Sequence, residues 1–321
     1  MVRRVLRVKV QSVEARSSLG GIDQWQHERW FCGGGLVGVA WEAGLLAGLS
    51  ARGVDLARAH LILGTSAGSF VGAEVAMGRS ASSIVDAILA EDPARSFSIG
   101  GRPMKVPEMS ALFIKMAEAV SGARPAEQVR AEIGAWALSA ECMMSEKEFI
   151  ASFGRSFSGF PEYFWPERPY ACTAVDAADG SFVVWNKDSK VGLVDAVASS
   201  CAAPGIFPPI TIRGRRYIDG GIRSPTNADA AKGYDLVAVV EVRGTGIDLA
   251  MAESFQSALQ RERDALRSGG ARVELIVPDP ACVDAFGPNP MDPSRRKRAA
   301  SAGAAQGKAA ADHLREFWKG C

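Results

Sequence analysis

Two glycine-rich turns, each set between an apolar strand-like run and a helix, lie within fifty residues of one another and constrain this chain more than any other feature. The first unit reads Arg29-Trp-Phe-Cys32, then three glycines at 33 to 35, then a segment of helical periodicity through Gly53. The second reads His60-Leu-Ile-Leu63, then Gly64-Thr-Ser66-Ala-Gly68, then a small-residue helix that ends before Arg79. Strand, turn and helix repeated in this way imply a mainly parallel sheet covered on both faces. Its functional loops then fall at the carboxyl ends of the strands, where both glycine turns lie.

Composition removes several classes of function. Lys and Arg number 37 against 36 Asp and Glu, a net charge of +1, which gives no general attraction to nucleic acid. No apolar run approaches the ~20 residues needed to cross a bilayer. Six cysteines without a C-x-x-C pair fit neither a zinc site nor a disulfide framework, and no metal-ligand spacing is present, so no metal or cofactor is expected. The amino terminus lacks the apolar core of a secretory signal, which leads us to expect a cytoplasmic protein. Only three histidines occur, so acid–base chemistry is expected to fall to carboxylates.

Residues 1–25 read as an amino-terminal extension without an assigned element, and 26–321 as one α/β domain. Prolines punctuate the stretch from about 92 to 169, which reads as a helical insertion over the active edge and holds the capping box Ser145-Glu-Lys-Glu148. Strand-like runs resume at Tyr170–Val175, Phe182–Trp185, Arg216–Asp219, Leu236–Val242 and Val273–Val277. Residues 292–319, rich in Ala, Arg and Lys, read as one long surface helix.

Three motifs carry chemistry. Gly64-Thr-Ser66-Ala-Gly68 matches G-x-S-x-G, in which a serine nucleophile sits on a strained turn and the flanking Gly64 and Gly68 admit contacts that a Cβ would forbid. With 34 glycines the pattern arises by chance about 0.3 times, so the strand before it and the helix after it supply the weight. The bland alternative is a serine that merely caps the helix. The loop Gly33-Gly34-Gly35-Leu36-Val37-Gly38 at a helix start can hold an anion as an oxyanion hole. It also fits a dinucleotide fingerprint, but the acid about 20 residues on, Asp55, precedes the second strand instead of ending it. Lastly, Asp219-Gly220-Gly221 ends a short strand and brings a carboxylate to a sharp turn, a pattern that in isolation is most often just a turn.

Glycine loop, G-x-S-x-G and Asp-Gly-Gly in this order, together with Ala198-Ser-Ser-Cys-Ala-Ala-Pro-Gly-Ile-Phe-Pro-Pro209, resemble the patatin-like phospholipase family over most of the chain. The resemblance implies a three-layer α/β/α fold and a serine–aspartate dyad that hydrolyses acyl esters of lipids. In it Ser66 is the nucleophile, Asp219 the proton acceptor, and the loop from Gly33 to Gly38 the oxyanion hole. The partners implied are a lipid or acyl-ester substrate and a transient contact with a membrane surface. Val37 stands where the family often carries a basic residue, and the first strand is poor in aliphatic residues.

Two other functions fit the same residues: a lipid-binding member without turnover, and a triad of Ser66, Asp219 and His313 in α/β-hydrolase order. His313 lies inside the Ala-rich terminal helix, which favours a surface role. A carboxylate base leads to the further expectation that activity does not fall along a single titration near pH ~6.5. Phe153, Phe157, Phe160, Tyr163, Phe164 and Trp165 are candidates for an acyl channel or a membrane contact, with core packing as the plainer reading.

Overall fold

The computed structural model describes residues 27–31, 34–90, 98–99, 102–103, 110–154, 156–157, 159–161, 163–242 and 249–319. The extension 1–25, Gly33 and parts of the 92–169 segment lie outside the described residues. The described residues begin with β1 (His27–Phe31), α1 (Gly35–Ser50), β2 (Leu61–Gly64), α2 (Ala67–Ala76) and α3 (Ala81–Ala90). Both strand–glycine–helix units therefore form. Asp55 accepts the Ala57 N–H at 2.9 Å and caps a 3-10 turn, Leu56–Arg58, which accounts for an acid where a ribose ligand would otherwise be sought.

A two-stranded ribbon follows, β3 (Ser98–Ile99) with β4 (Arg102–Pro103), then α4 (Ser110–Ser121), α5 (Ala126–Ser139) and α6 (Glu146–Gly154). The capping box closes at the start of α6: the Ser145 N–H donates to Glu148 Oε2 at 2.9 Å and the Glu148 N–H to Ser145 Oγ at 3.3 Å. The remaining elements are β5 (Tyr170–Asp176), β6 (Phe182–Asn186), α7 (Leu193–Ser200), β7 (Ile210–Ile212), β8 (Arg215–Asp219), β9 (Leu236–Val240), α8 (Leu249–Ser268), β10 (Arg272–Ile276), α9 (Pro280–Phe286) and α10 (Arg296–Lys319).

The main sheet runs β10-β9-β1-β2-β5-β8-β7, with β6 also paired to β5. β10, β9, β1, β2 and β5 are parallel, β6 and β8 run antiparallel to β5, and β7 is antiparallel to β8. β1 is central despite its poor strand composition, because β9 and β2 pair it on both sides and tertiary pairing outweighs propensity. Successive residues face opposite layers, as the two-residue period demands. Ile62 and Val240 join the core beneath α1, α2 and α7, while Leu63, Val237 and Val239 join the core with Leu259 and Leu266 of α8. This is a three-layer α/β/α fold.

The terminal helix is more than a surface element. A Cβ on Gly44 of α1 would meet the Ala300 carbonyl oxygen at 2.1 Å, and one on Gly303 would meet the Trp41 oxygen at 2.4 Å. Reciprocal glycines thus let α1 and α10 approach backbone to backbone, and Ala299, Ala300, Ala311 and Leu314 are buried. Alanines read as helix formers also make the flat face that this contact needs.

Candidate active site

The site is created by two strands meeting end to end. β6 pairs one edge of β5 along Ala171–Val175, so β2 and β8 must share the other. β2 runs parallel to β5 and ends with Gly64 opposite Cys172, whereas β8 runs antiparallel and ends with Asp219 opposite Ala174. Between those partners lies Thr173. Its Oγ1 is 2.7 Å from Thr65 Oγ1, and a Cβ on Gly220 would stand 2.1 Å from that same oxygen. The residues after each strand, Ser66 and Asp219-Gly220, are therefore brought together around one threonine.

Ser66 has φ 54° and ψ −122°, a left-handed conformation that costs a non-glycine residue ~1–3 kcal/mol. The surroundings fix it. The Ser66 N–H donates to Ser200 Oγ at 3.1 Å, and the Ser66 carbonyl accepts from Ser69 Oγ at 2.6 Å and from Cys201 Sγ at 3.0 Å. Burial and then the nearby Asp219 charge hold the Cys201 thiol well above the usual range, so it remains a donor. Gly64 is required by close approach, since a Cβ there would meet the Ser69 Cα at 2.4 Å. Ser66 opens α2 without capping it through its side chain, so the capping alternative does not hold.

Asp219 is 5% exposed. Burial pushes its carboxyl up to about 7, against the opposing pull of hydrogen bonds from the Ser66 side chain and the Gly221 N–H. The Gly221 N–H donates to Oδ1 at 2.7 Å, and the Asp219 N–H is anchored on the Ala202 carbonyl at 3.0 Å. A carboxylate so placed titrates in the range of a histidine. The expectation that a carboxylate base gives no titration near pH ~6.5 is therefore corrected, because it took the pKa of a solvated aspartate for a buried one.

The glycine loop is sorted by its hydrogen bonds. Gly35 has φ +61° and lies against the Pro290 carbonyl oxygen and Met291 Sδ, each 2.8 Å from where a Cβ would be. The Val37 N–H donates to Pro290 O at 3.0 Å and the Gly38 N–H to Gly34 O at 2.8 Å, so neither faces an oxyanion. Gly34, Gly35 and Leu36 remain at the start of α1, whose macrodipole favours negative charge there. Gly68 and Gly220 sit in the first turns after Ser66 and Asp219.

Sequence reasoning missed Asn227, which is fully buried with φ 51°. Its Nδ2 lies 3.1 Å from Thr65 Oγ1, 3.1 Å from Gly220 O and 2.9 Å from Ser224 O, bridging the turn after β2 to the turn after β8. The available signal was an Asn in a Ser-Pro-Thr-Asn turn, a residue type that tolerates the left-handed region. Ala67 was also passed over. Its N–H, directly after Ser66, occupies the position that supplies an oxyanion donor at G-x-S-x-G elbows.

His313 is not brought to the site. Its Nε2 is 2.8 Å from Glu274 Oε1 on β10, which lies three strands from β2, or ~14 Å at usual strand spacing. The triad is excluded by that placement. The aromatic group divides in two: Phe153 and Phe157 pack at 6.1 and 5.8 Å from the ring of Phe70 on α2, whereas Phe160 and Tyr163 are 45% and 66% exposed. Among the described residues no group of His, Cys, Asp and Glu could hold a metal ion, and no helix is long and apolar enough to cross a membrane.

A strained serine and a buried carboxylate thus stand together at the carboxyl edge of a sheet between two helical layers. Residues 31–232, more than half of the chain, match the family model for patatin-like phospholipase, and the chain belongs to that family. It is thereby a member of a family of lipid hydrolases. Among solved structures, VipD from Legionella pneumophila is 14% identical with a TM-score of 0.44, covering 89% of this chain and 67% of that one. The type III effector ExoU is 16% identical with a TM-score of 0.42, covering 91% of this chain and 53% of its own. ExoU in complex with SpcU, from Pseudomonas aeruginosa, is 17% identical with a TM-score of 0.37. The chain spans about half the length of ExoU. No curated protein matches.

Proposed function

We propose that this protein hydrolyses acyl esters of lipids through a dyad of Ser66 and Asp219. The observation that carries the reading is the convergence of β2 and β8 on one edge of β5, which sets the strained Ser66 beside the buried carboxyl of Asp219, raised by burial to about 7. A base poised near the working pH combines a useful ionised fraction with real proton affinity. Ser66 Oγ attacks the ester carbonyl as its proton passes to Asp219. The negative charge that develops on the carbonyl oxygen falls to the Ala67 N–H and to donors of the Gly34–Leu36 segment. One such donor is worth ~3–4 kcal/mol of transition-state stabilisation. Collapse of the tetrahedral species expels the alcohol, which takes the proton from Asp219, and leaves an acyl ester on Ser66. Water, deprotonated by the same carboxylate, then releases the acid.

Val37 offers neither a side-chain charge nor its N–H, which Pro290 O engages, so in this reading the oxyanion depends on the Ala67 N–H and the Gly34–Leu36 segment. A lipid-binding role without turnover has no observation that favours it over catalysis. Hydrolysis of a medium-chain monoester and of a phospholipid, followed in the native protein, Ser66→Ala and Asp219→Asn, tests the proposal. Both variants are expected to lose at least a thousandfold in kcat while remaining folded. Retention of native activity by either one overturns the assignment of that residue.

A further inference from the structure

A groove of about 610 Å³, whose lining does not include Ser66, lies between the segment ahead of β5, the turn after β6, the start of α7 and the end of β7. Its volume is in the range of small-molecule sites. Lys187, Lys190 and Arg213 line it, against the single carboxylate of Asp195. None of the ion pairs among the described residues includes any of these three cations. Gly192, which also lines the groove, is the N-cap of α7 and provides no side-chain cap. The N–H groups of the first turn of α7 thus add their partial positive charge at the same wall.

The backbone is committed to holding these cations. Arg213 and Gly214 have φ 51° and 76°, both left-handed, which is the type I′ pattern of a two-residue hairpin turn joining β7 to β8. Asn-Gly is the usual occupant of such a turn, and a long side chain at the first position costs ~1–2 kcal/mol. Arg213 nonetheless occupies it and donates through Nη2 across the groove to the Lys190 carbonyl. Lys190 is itself left-handed at φ 54°. Beneath the cations the lining turns apolar: Val191 and Ile212 are buried, Trp165 is pinned by its Nε1 donating to Val191 O at 2.7 Å, and Tyr163 stands exposed at the rim. A cationic rim over an aromatic and aliphatic floor suits a molecule with a charged head and a short apolar portion.

We propose that this groove is a second binding site, distinct from the Ser66 site, that takes the phosphate-bearing head of an anionic amphiphile. Two ammonium groups and a guanidinium match a multi-oxygen anion of charge near −2. The site is an open groove lined by three cations instead of a track of charge, and the whole chain carries only +1, which sets it apart from nucleic-acid binding. α7, eight residues and ~12 Å long, joins the groove at Gly192 to Ser200, the acceptor of the Ser66 N–H. The two sites therefore lie about one short helix apart.

The test is carried out on full-length Ser66→Ala, so that turnover cannot consume the probe and failure of the catalytic reading leaves the result intact. A short-chain phosphatidic acid below its micellar concentration, inorganic phosphate, and vesicles of phosphatidylcholine with and without phosphatidic acid are each titrated. The proposal expects saturable, salt-sensitive binding to at least one phosphate-bearing probe and none to pure phosphatidylcholine. Binding to monomer identifies a free amphiphile, binding to charged vesicles alone a membrane-borne head, and equal binding to inorganic phosphate a free phosphate. Arg213→Asn, which restores the preferred turn residue, is expected to raise Tm while weakening binding at least tenfold. Lys187→Gln with Lys190→Asn weakens it similarly without touching the hairpin. Unchanged affinity in both variants, or equal affinity for charged and neutral lipid, overturns the proposal.

Discussion

Ser200 Oγ accepts the backbone N–H of Ser66 at 3.1 Å, so the helix that ends at residue 200 holds the Ser66 peptide in its strained conformation. A buried N–H without an acceptor costs ~1–3 kcal/mol, enough to tip a residue with φ 54° toward a relaxed geometry. Ser200→Ala is expected to lower kcat at least tenfold on a monomeric ester with little change in KM, because it acts on the placement of Ser66. Steady-state kinetics checks this, and a pure rise in KM contradicts it.

Asp219 acting as the base implies a definite pH dependence. With Asp219 at about 7, kcat/KM should rise with pH through a single one-proton limb near that value and then level off. The limb resembles that of a histidine but belongs to a carboxylate, whose ionisation enthalpy is small, so its midpoint should barely move between 15 and 35 °C. His313→Ala should leave both the limb and the activity in place, since that exposed ring pairs with Glu274 on β10, away from Ser66. A limb that shifts with temperature as an imidazole does, or that vanishes with His313, contradicts the dyad.

The same burial couples stability to pH. Asp219 is raised from 3.8 unfolded to about 7 folded, so between these values the native state binds the extra proton and unfolding becomes easier as pH rises. The cost is absent below pH ~4 and complete above pH ~7, at most on the order of 4 kcal/mol. Asp219→Asn removes it. Urea titrations at pH 5 and pH 8 should show the variant gaining stability over the native protein at the higher pH. An equal difference at both values contradicts the raised pKa.

Gly220 and Gly214 separate crowding from backbone strain. A Cβ on Gly220 meets Thr173 Oγ1 at 2.1 Å and the Thr173 carbonyl oxygen at 2.6 Å, where the two strands converge. Gly220→Ala should force Thr173 and Thr65 apart and abolish activity, with a loss of several degrees in Tm. Gly214 has open space but φ +76°, so Gly214→Ala should cost only ~1–2 kcal/mol and leave activity alone. Thermal melts and ester assays on the pair check both statements.

What the sequence made legible was local: two glycine turns at strand ends, a serine elbow and an Asp-Gly-Gly turn, each written in consecutive residues. The meeting of β2 and β8 on one edge of β5 was hidden, because its register depends on partners more than a hundred residues apart, such as Gly64 with Cys172. The near-neutral Asp219 was hidden for the same reason, since burial is assembled by the whole fold. β7, three residues long, is too short for its alternation to register. The engagement of the Val37 N–H by Pro290 O joins segments 253 residues apart, so the glycine loop alone gave no hint of which donors it keeps.

The most direct test of the Ser66–Asp219 dyad is labelling by a fluorophosphonate probe, with the modified peptide mapped by mass spectrometry in native protein, Ser66→Ala and Asp219→Asn. Rapid labelling of native protein at Ser66 is expected, with none in Ser66→Ala and labelling slowed at least a hundredfold in folded Asp219→Asn. Label on another residue, or an undiminished rate without the Asp219 carboxylate, would contradict the dyad.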